Sequence, residues 1–216
     1  MFSYKILFVS LLSFLFGCKQ PEKSKDFNIQ DNTVYYRDEA IPKSDAKSFT
    51  ALDDHYAKDN NHVWYCDTYR SGQDYFSTKR NRISVMEKAD APTFKLLENR
   101  YAKDKANVFF EGKLFPVKDV NTFRVLDYSF AKDQLSGYYM QLEIKGSDGN
   151  TFTGLDSHYS KDKNHIYYSD VLPGEPATSV TIKNADISTF TILDSATDST
   201  DAKDKNGFYY KGKKVK

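Results

Sequence analysis

Four histidines are the side chains best suited to acid–base or metal chemistry, and they come as two matched pairs. HYAKDNNHVWY (55–65) returns as HYSKDKNHIYY (158–168), so His55 and His62 stand seven apart, as do His158 and His165. Two imidazoles on one zinc ion must each come within about 2 Å of it. If residues 59–62 form a tight turn between strands, His62 sits at the turn while His55 lies four positions down the ladder, beside Cys66. At roughly 3.4 Å per residue that separation is on the order of 14 Å. The pairs are therefore expected to mark a duplicated turn. The equivalent positions between them, Arg100 and Asn107, keep only the polarity.

Ten periodic aspartates form the other conspicuous set. Five open an Asp-x-x-Thr/Ser-Phe motif, at Asp45, Asp90, Asp119, Asp148 and Asp186; five close an Ala/Ser-Lys-Asp motif, at Asp59, Asp104, Asp133, Asp162 and Asp204. Calcium requires six to eight oxygens converging on one point. No segment has that ligand density, with GSDGN (146–150) the nearest approach. Each aspartate has a backbone task at hand instead. The first kind can cap a short helical turn, and the second can accept N–H groups of the turn that follows it. The chain has no Gly-x-Ser-x-Gly elbow, His-Glu-x-x-His helix or Gly-rich phosphate loop. Cys66 occupies a slot that Glu111 and Ser169 fill elsewhere, as an incidental small side chain does. No catalytic residue, metal ligand or cofactor is assigned.

The spacing of the two anchors describes the architecture. In four copies the motif Phe leads the Lys-Asp aspartate by ten residues, and in the last by fourteen; two full periods are 29 residues, and the others are 45 and 42. Fixed spacing of this kind signals a repeat array. After each Lys-Asp come a polar turn and an aromatic strand: VWY, VFF, YYM, IYY and FYY, with VYY (34–36) heading the first unit. The turn-and-strand motif in DKNHIYY (162–168), DKANVFF (104–110) and DKNGFYY (204–210) resembles that of the DKNYY family of bacterial repeat proteins, from roughly residue 32 onward. The resemblance implies a cell-envelope context and brings no catalytic residues with it. Read from the residues, the expected fold is all-β: a solenoid-like array of five to six units, each a hairpin or three-strand repeat of about 29 residues, burying apolar faces on its neighbours.

Aromatics fill two columns of this repeat. Tyr35, Trp64, Phe109, Tyr138, Tyr167 and Tyr209 form one; Tyr36, Tyr65, Phe110, Tyr139, Tyr168 and Tyr210 form the next. Adjacent strand residues point to opposite faces. Either one column is an exposed ladder for stacking sugars or peptides, or units pack on both sides of each sheet and bury both; the second is the better reading.

The N-terminal sequence supplies an address. An apolar run from Ile6 to Phe16 is too short for the roughly 20 residues of a spanning helix, and it precedes Gly17 and Cys18. Leu15-Phe16-Gly17-Cys18 resembles a bacterial lipobox, which implies cleavage before Cys18 and acylation of that residue. The expected organisation is a signal peptide at 1–17, a tether at 18–31 and the repeat domain at 32–216. Thirty-one basic residues nearly balance thirty acidic ones, which argues against nucleic acid as a partner and leaves membrane attachment to the lipid. Lys19 carries no acidic retention signal, pointing to an outer membrane where there are two.

Two stretches lengthen the repeat at one connection: residues 66–82 and 169–179, each between an aromatic strand and the next apolar one. Insertions at one place in a repeat project from one side, commonly the binding side. Tyr69, Arg70, Tyr75, Phe76 and Arg82 are the candidate contact residues there. The expected function is a noncatalytic, lipid-anchored envelope protein whose repeat array is an interaction or structural surface, with an envelope protein or a glycan as the partner to look for. The alternatives are an envelope hydrolase built from carboxylates of different repeats and an inhibitor-type partner of another exported protein.

Overall fold

The computed structural model describes residues 24–70, 79–127, 129–197 and 199–215. These fold as six small antiparallel meanders in tandem, with no helix among the described residues. The first sheet holds β1 (Phe27–Gln30), β2 (Thr33–Tyr36) and β3 (Glu39–Ala40). The second holds β4 (Thr50–Ala51), β5 (Tyr56–Lys58), β6 (Val63–Tyr69) and β7 (Arg80–Val85). The third holds β8 (Lys95–Leu96), β9 (Tyr101–Lys103), β10 (Val108–Phe110) and β11 (Lys113–Phe115). The fourth holds β12 (Arg124–Val125), β13 (Phe130–Lys132), β14 (Gly137–Tyr139) and β15 (Leu142–Ile144). The fifth holds β16 (Thr153–Gly154), β17 (Tyr159–Lys161), β18 (Ile166–Asp170) and β19 (Thr178–Thr181). The sixth holds β20 (Thr191–Thr197), β21 (Thr200–Asp204), β22 (Gly207–Tyr210) and β23 (Lys213–Lys214).

The all-β repeat array is as the sequence implies, but each complete unit has four strands rather than the hairpin or three expected. A segment such as residues 122–133, which reads as one extended piece, folds back on itself as β12 and β13. A third recurring anchor makes the bend: Leu followed by an acid, at residues 52–53, 97–98, 126–127 and 155–156. The leucine N–H bonds to the carbonyl of Tyr56, Tyr101, Phe130 and Tyr159 respectively, at 2.8 to 2.9 Å. Strands of two or three residues let four fit where normal strand lengths would allow three.

The core lies between sheets. Five clusters of buried residues each join one sheet to the next, and none is confined to a single unit. Alternation along the aromatic strand explains both columns. Trp64, Phe109, Tyr138, Tyr167 and Tyr209 face the preceding sheet, whereas Tyr36, Tyr65, Phe110, Tyr139 and Tyr168 face the following one. The motif Phe completes each interface. Every junction holds the same four-ring chain, for example Tyr65–Tyr56–Phe94–Phe109, with centroids 4.7 to 6.3 Å apart. Each ring buries a large apolar area in tilted or edge-on geometry, so a unit owes its order to its neighbours.

Hydrogen bonds lock the stacking in register. The Tyr56 hydroxyl accepts the Gly112 N–H at 2.9 Å, and the Tyr159 hydroxyl accepts that of Gly212 at 3.0 Å. Both glycines hold φ +73° at a hairpin tip that presses on the tyrosine of the preceding sheet, where a Cβ on Gly112 would overlap the Tyr65 side chain. Gly112→Ala is expected to cost about 2 kcal/mol or more, through positive φ and lost inter-sheet contact together. Urea melts of the two proteins check this.

Candidate functional site

The periodic carboxylates are engaged in a structural clasp that repeats five times. One oxygen of each Lys-Asp aspartate accepts two N–H groups from its own turn, Asp104 from Ala106 and Asn107 at 2.7 Å each. The other oxygen accepts the N–H of the upstream motif aspartate. The pairs are Asp45 to Asp59 (2.9 Å), Asp90 to Asp104 (2.8 Å), Asp119 to Asp133 (2.9 Å), Asp148 to Asp162 (2.7 Å) and Asp186 to Asp204 (2.6 Å). The motif Thr or Ser closes the ring. Its hydroxyl donates to the motif aspartate, as Thr122 does to Asp119 at 2.7 Å, and accepts the N–H that follows the Lys-Asp aspartate, as from Gln134 at 3.0 Å.

Chemistry is thereby spent on folding. A carboxylate ringed by N–H donors has its lone pairs occupied, and those donors repel a cation. Among the described residues no three His, Cys, Asp or Glu side chains gather as metal ligands. Burial alone would raise the carboxyls of Asp133, Asp162 and Asp204, but the hydrogen bonds from tyrosine hydroxyls and backbone N–H groups outweigh it and hold all three below the usual carboxylate range. The adjacent lysine works between units. Lys58 Nζ reaches the Ala91 carbonyl (2.8 Å), Lys103 that of Val120 (3.0 Å), and Lys132 those of Asn150 and Phe152 (2.9 Å each). Each ties its sheet to the motif turn of the next, a role the sequence reading did not assign.

The histidines take separate partners. His62 and His165 stand at the turns, where their N–H groups bond Asp59 (2.6 Å) and Asp162 (2.8 Å). His55 lies beside Cys66, with its Nδ1 2.9 Å from the Cys66 carbonyl oxygen. Cys66 is fully buried, and burial pushes its thiol up to about 12, which keeps it protonated and inert as a nucleophile. In the fifth sheet, Ser157 Oγ lies 2.8 Å from His158 Nδ1, and His158 Nε2 lies 3.7 Å from Asp170. The second distance is too long for a hydrogen bond, and the imidazole stacks on Tyr168 at 12°.

The two lengthened connections are the outstanding departures from the repeat. Both prolong the hairpin between third and fourth strands: β6 pairs with β7 from Trp64↔Val85 to Tyr69↔Arg80, and β18 with β19 from Tyr167↔Thr181 to Asp170↔Thr178. Tyr69, at the end of β6, is 42% exposed, and Arg70 follows it. Arg82 forms a two-pronged ion pair with Asp67 across the hairpin, so it braces the element while half its side chain remains open to solvent. Tyr75 and Phe76 lie outside the described residues, as does Cys18. On the second hairpin Leu172 is 62% exposed, an apolar side chain open to solvent. A shallow groove of about 370 Å³ lies between β15 and β19, lined by Leu142, Tyr167 and Ala177.

A sequence model of the DKNYY family matches residues 27–141 and 130–172. No curated protein and no solved structure matches the chain. The clasp continues beyond the matched span, since Asp186 and Asp204 form it in the sixth sheet.

Asp133 carries the densest clasp, accepting from Leu135, Ser136, Lys118 and Asp119 N–H groups and the Tyr138 hydroxyl. Asp133→Ala is expected to cost about 3–4 kcal/mol by orphaning buried donors. Because the folded carboxyl values are depressed, this stabilisation is complete above the unfolded value near pH 4 and is lost as pH falls through the folded values. Urea midpoints compared at about pH 7 and about pH 3 should therefore fall in the parent and narrow the gap to the variant.

Proposed function

The chain belongs to the DKNYY family, and from that premise we propose that it is a lipid-anchored protein of the bacterial cell envelope whose β-repeat array is a noncatalytic binding surface. The observation that carries this reading is the pair of elongated hairpins. Additions to the repeat unit in the second and fifth sheets fall on one connection, and they present Tyr69 and Leu172 to solvent. Aromatic and Arg side chains on a braced hairpin suit a protein or glycan partner. The repeated carboxylates weigh against the hydrolase reading, because their oxygens hold backbone N–H groups. In its favour stands Ser157–His158–Asp170, whose group types suit acyl transfer but whose histidine–carboxylate spacing does not.

Anchoring is assigned to Cys18 through its lipobox-like context, with two or more acyl chains giving stable attachment where one is marginal. A Cys18→Ser variant should leave the membrane fraction or accumulate as precursor; processing and localisation like the parent would contradict the assignment. Replacing residues 67–82 with a Gly-containing turn should leave the melting curve intact and abolish capture of the partner from envelope extracts. Capture retained by a folded, shortened protein would contradict the binding role of the hairpins.

A further inference from the structure

The two elongated hairpins are built alike but lined differently on the face that meets the preceding sheet. Register matches them residue for residue: Trp64↔Val85 and Cys66↔Ile83 in the second sheet stand where Tyr167↔Thr181 and Ser169↔Ser179 stand in the fifth. In the second sheet Cys66, Ile83 and Val85 pack with Tyr36 and Ile41 into one apolar cluster against the first sheet. In the fifth, three hydroxyls take those places. There the groove of about 370 Å³ lies between β15 and β19, a volume within the range of small-ligand clefts.

The hydroxyls are only partly used. Ser169, fully buried, donates to Ser179 at 2.9 Å, which leaves the Ser179 hydroxyl free to donate in turn. Thr181 beside it bonds no described residue through its hydroxyl, and both Ser179 and Thr181 line the groove. Glu143 and Lys145 line the opposite wall. Lys118 neutralises Glu143 at 2.6 Å, so the charge left to the groove is that of Lys145, which is exposed and has no partner among the described residues. Leu142 and Ala177 add an aliphatic surface.

These groups select a ligand by its chemistry. Hydroxyls both donate and accept, an unpaired ammonium suits an anion, and an aliphatic wall suits the C–H face of a ring. A sugar that carries a carboxylate offers all three. A peptide strand does not fit, because β15 and β19 approach within 8 Å whereas a third strand between them needs about 4.8 Å on each side.

We propose that the groove between the fourth and fifth sheets binds an acidic sugar, with its carboxylate on Lys145 and its hydroxyls on Ser179 and Thr181. The proposal rests on the reading of the array as a binding surface and moves one contact from the hairpin ends into the groove. Shortening residues 67–82 alters none of the groove residues, so that experiment and the one below fail separately.

Amide NMR of the detergent-solubilised full chain, titrated with glucuronate, glucose and acetate, tests this. Glucuronate should shift Lys145, Ser179 and Thr181 saturably, half-maximally at about 1 mM for a ligand of its size, and the other two should bind about tenfold more weakly or less. Lys145→Gln should weaken glucuronate about tenfold. The double variant Ser179→Ile/Thr181→Val installs the residues of the second sheet at positions that are not buried; it should keep the parental melting curve and lose the glucuronate shifts. No saturable shift at the three residues, acetate matching glucuronate, or either variant binding like the parent would each overturn the proposal.

Discussion

One carboxylate in each four-stranded unit, buried in four of the five, holds the fold in shape. Each Lys-Asp aspartate closes its own turn with one oxygen and fastens the start of its unit with the other, bridging fourteen residues in four units and eighteen in the last. The extra residues of the sixth sheet lengthen β20 and shift its register, and the bridge survives unchanged at 2.6 Å. Chain length between the anchors is therefore free to vary while their juxtaposition is not. A buried charge is tolerated because several N–H groups converge on it, and removing it would leave those donors unsatisfied.

With each unit closed in this way, alternation along the strand does the rest. Strands of two to three residues cannot enclose a core, so the rings above and below each sheet are buried against adjacent sheets. Lysine-to-carbonyl bonds and tyrosine-to-tip bonds then fix how neighbours sit. The elongated hairpins lie outside this scheme. They extend the third and fourth strands past the region that stacking needs, leaving their ends available for a task other than folding.

Much of this was legible in the residues. Spacing of the two aspartate motifs revealed the repeat, and adjacent aromatic columns implied burial on both faces, as Tyr138 and Tyr139 both bear out. The separation of His55 from His62 followed from strand geometry. The fourth strand was missed because its anchor, Leu followed by Asp or Glu, is a weak pair of common residues, and because β12 is only two residues long. The reach of Lys132 to Phe152 and of Tyr56 to Gly112 spans 20 and 56 residues, and contacts at that range leave no local pattern to read. Of the candidate contact residues, Tyr69 is exposed and Arg82 pairs with Asp67 across the hairpin.

The account stands on the bridging bond of the clasp, whose donors sit in surface turns that nothing else in the fold would shield. Amide hydrogen exchange of Asp45, Asp90, Asp119, Asp148 and Asp186 reports on it directly. These five N–H groups should exchange at least about a hundredfold more slowly than free peptide, alongside the amides of the aromatic strands. Exchange at the rate of an open loop, with the strands still protected, would contradict the claim that the carboxylates hold the units together.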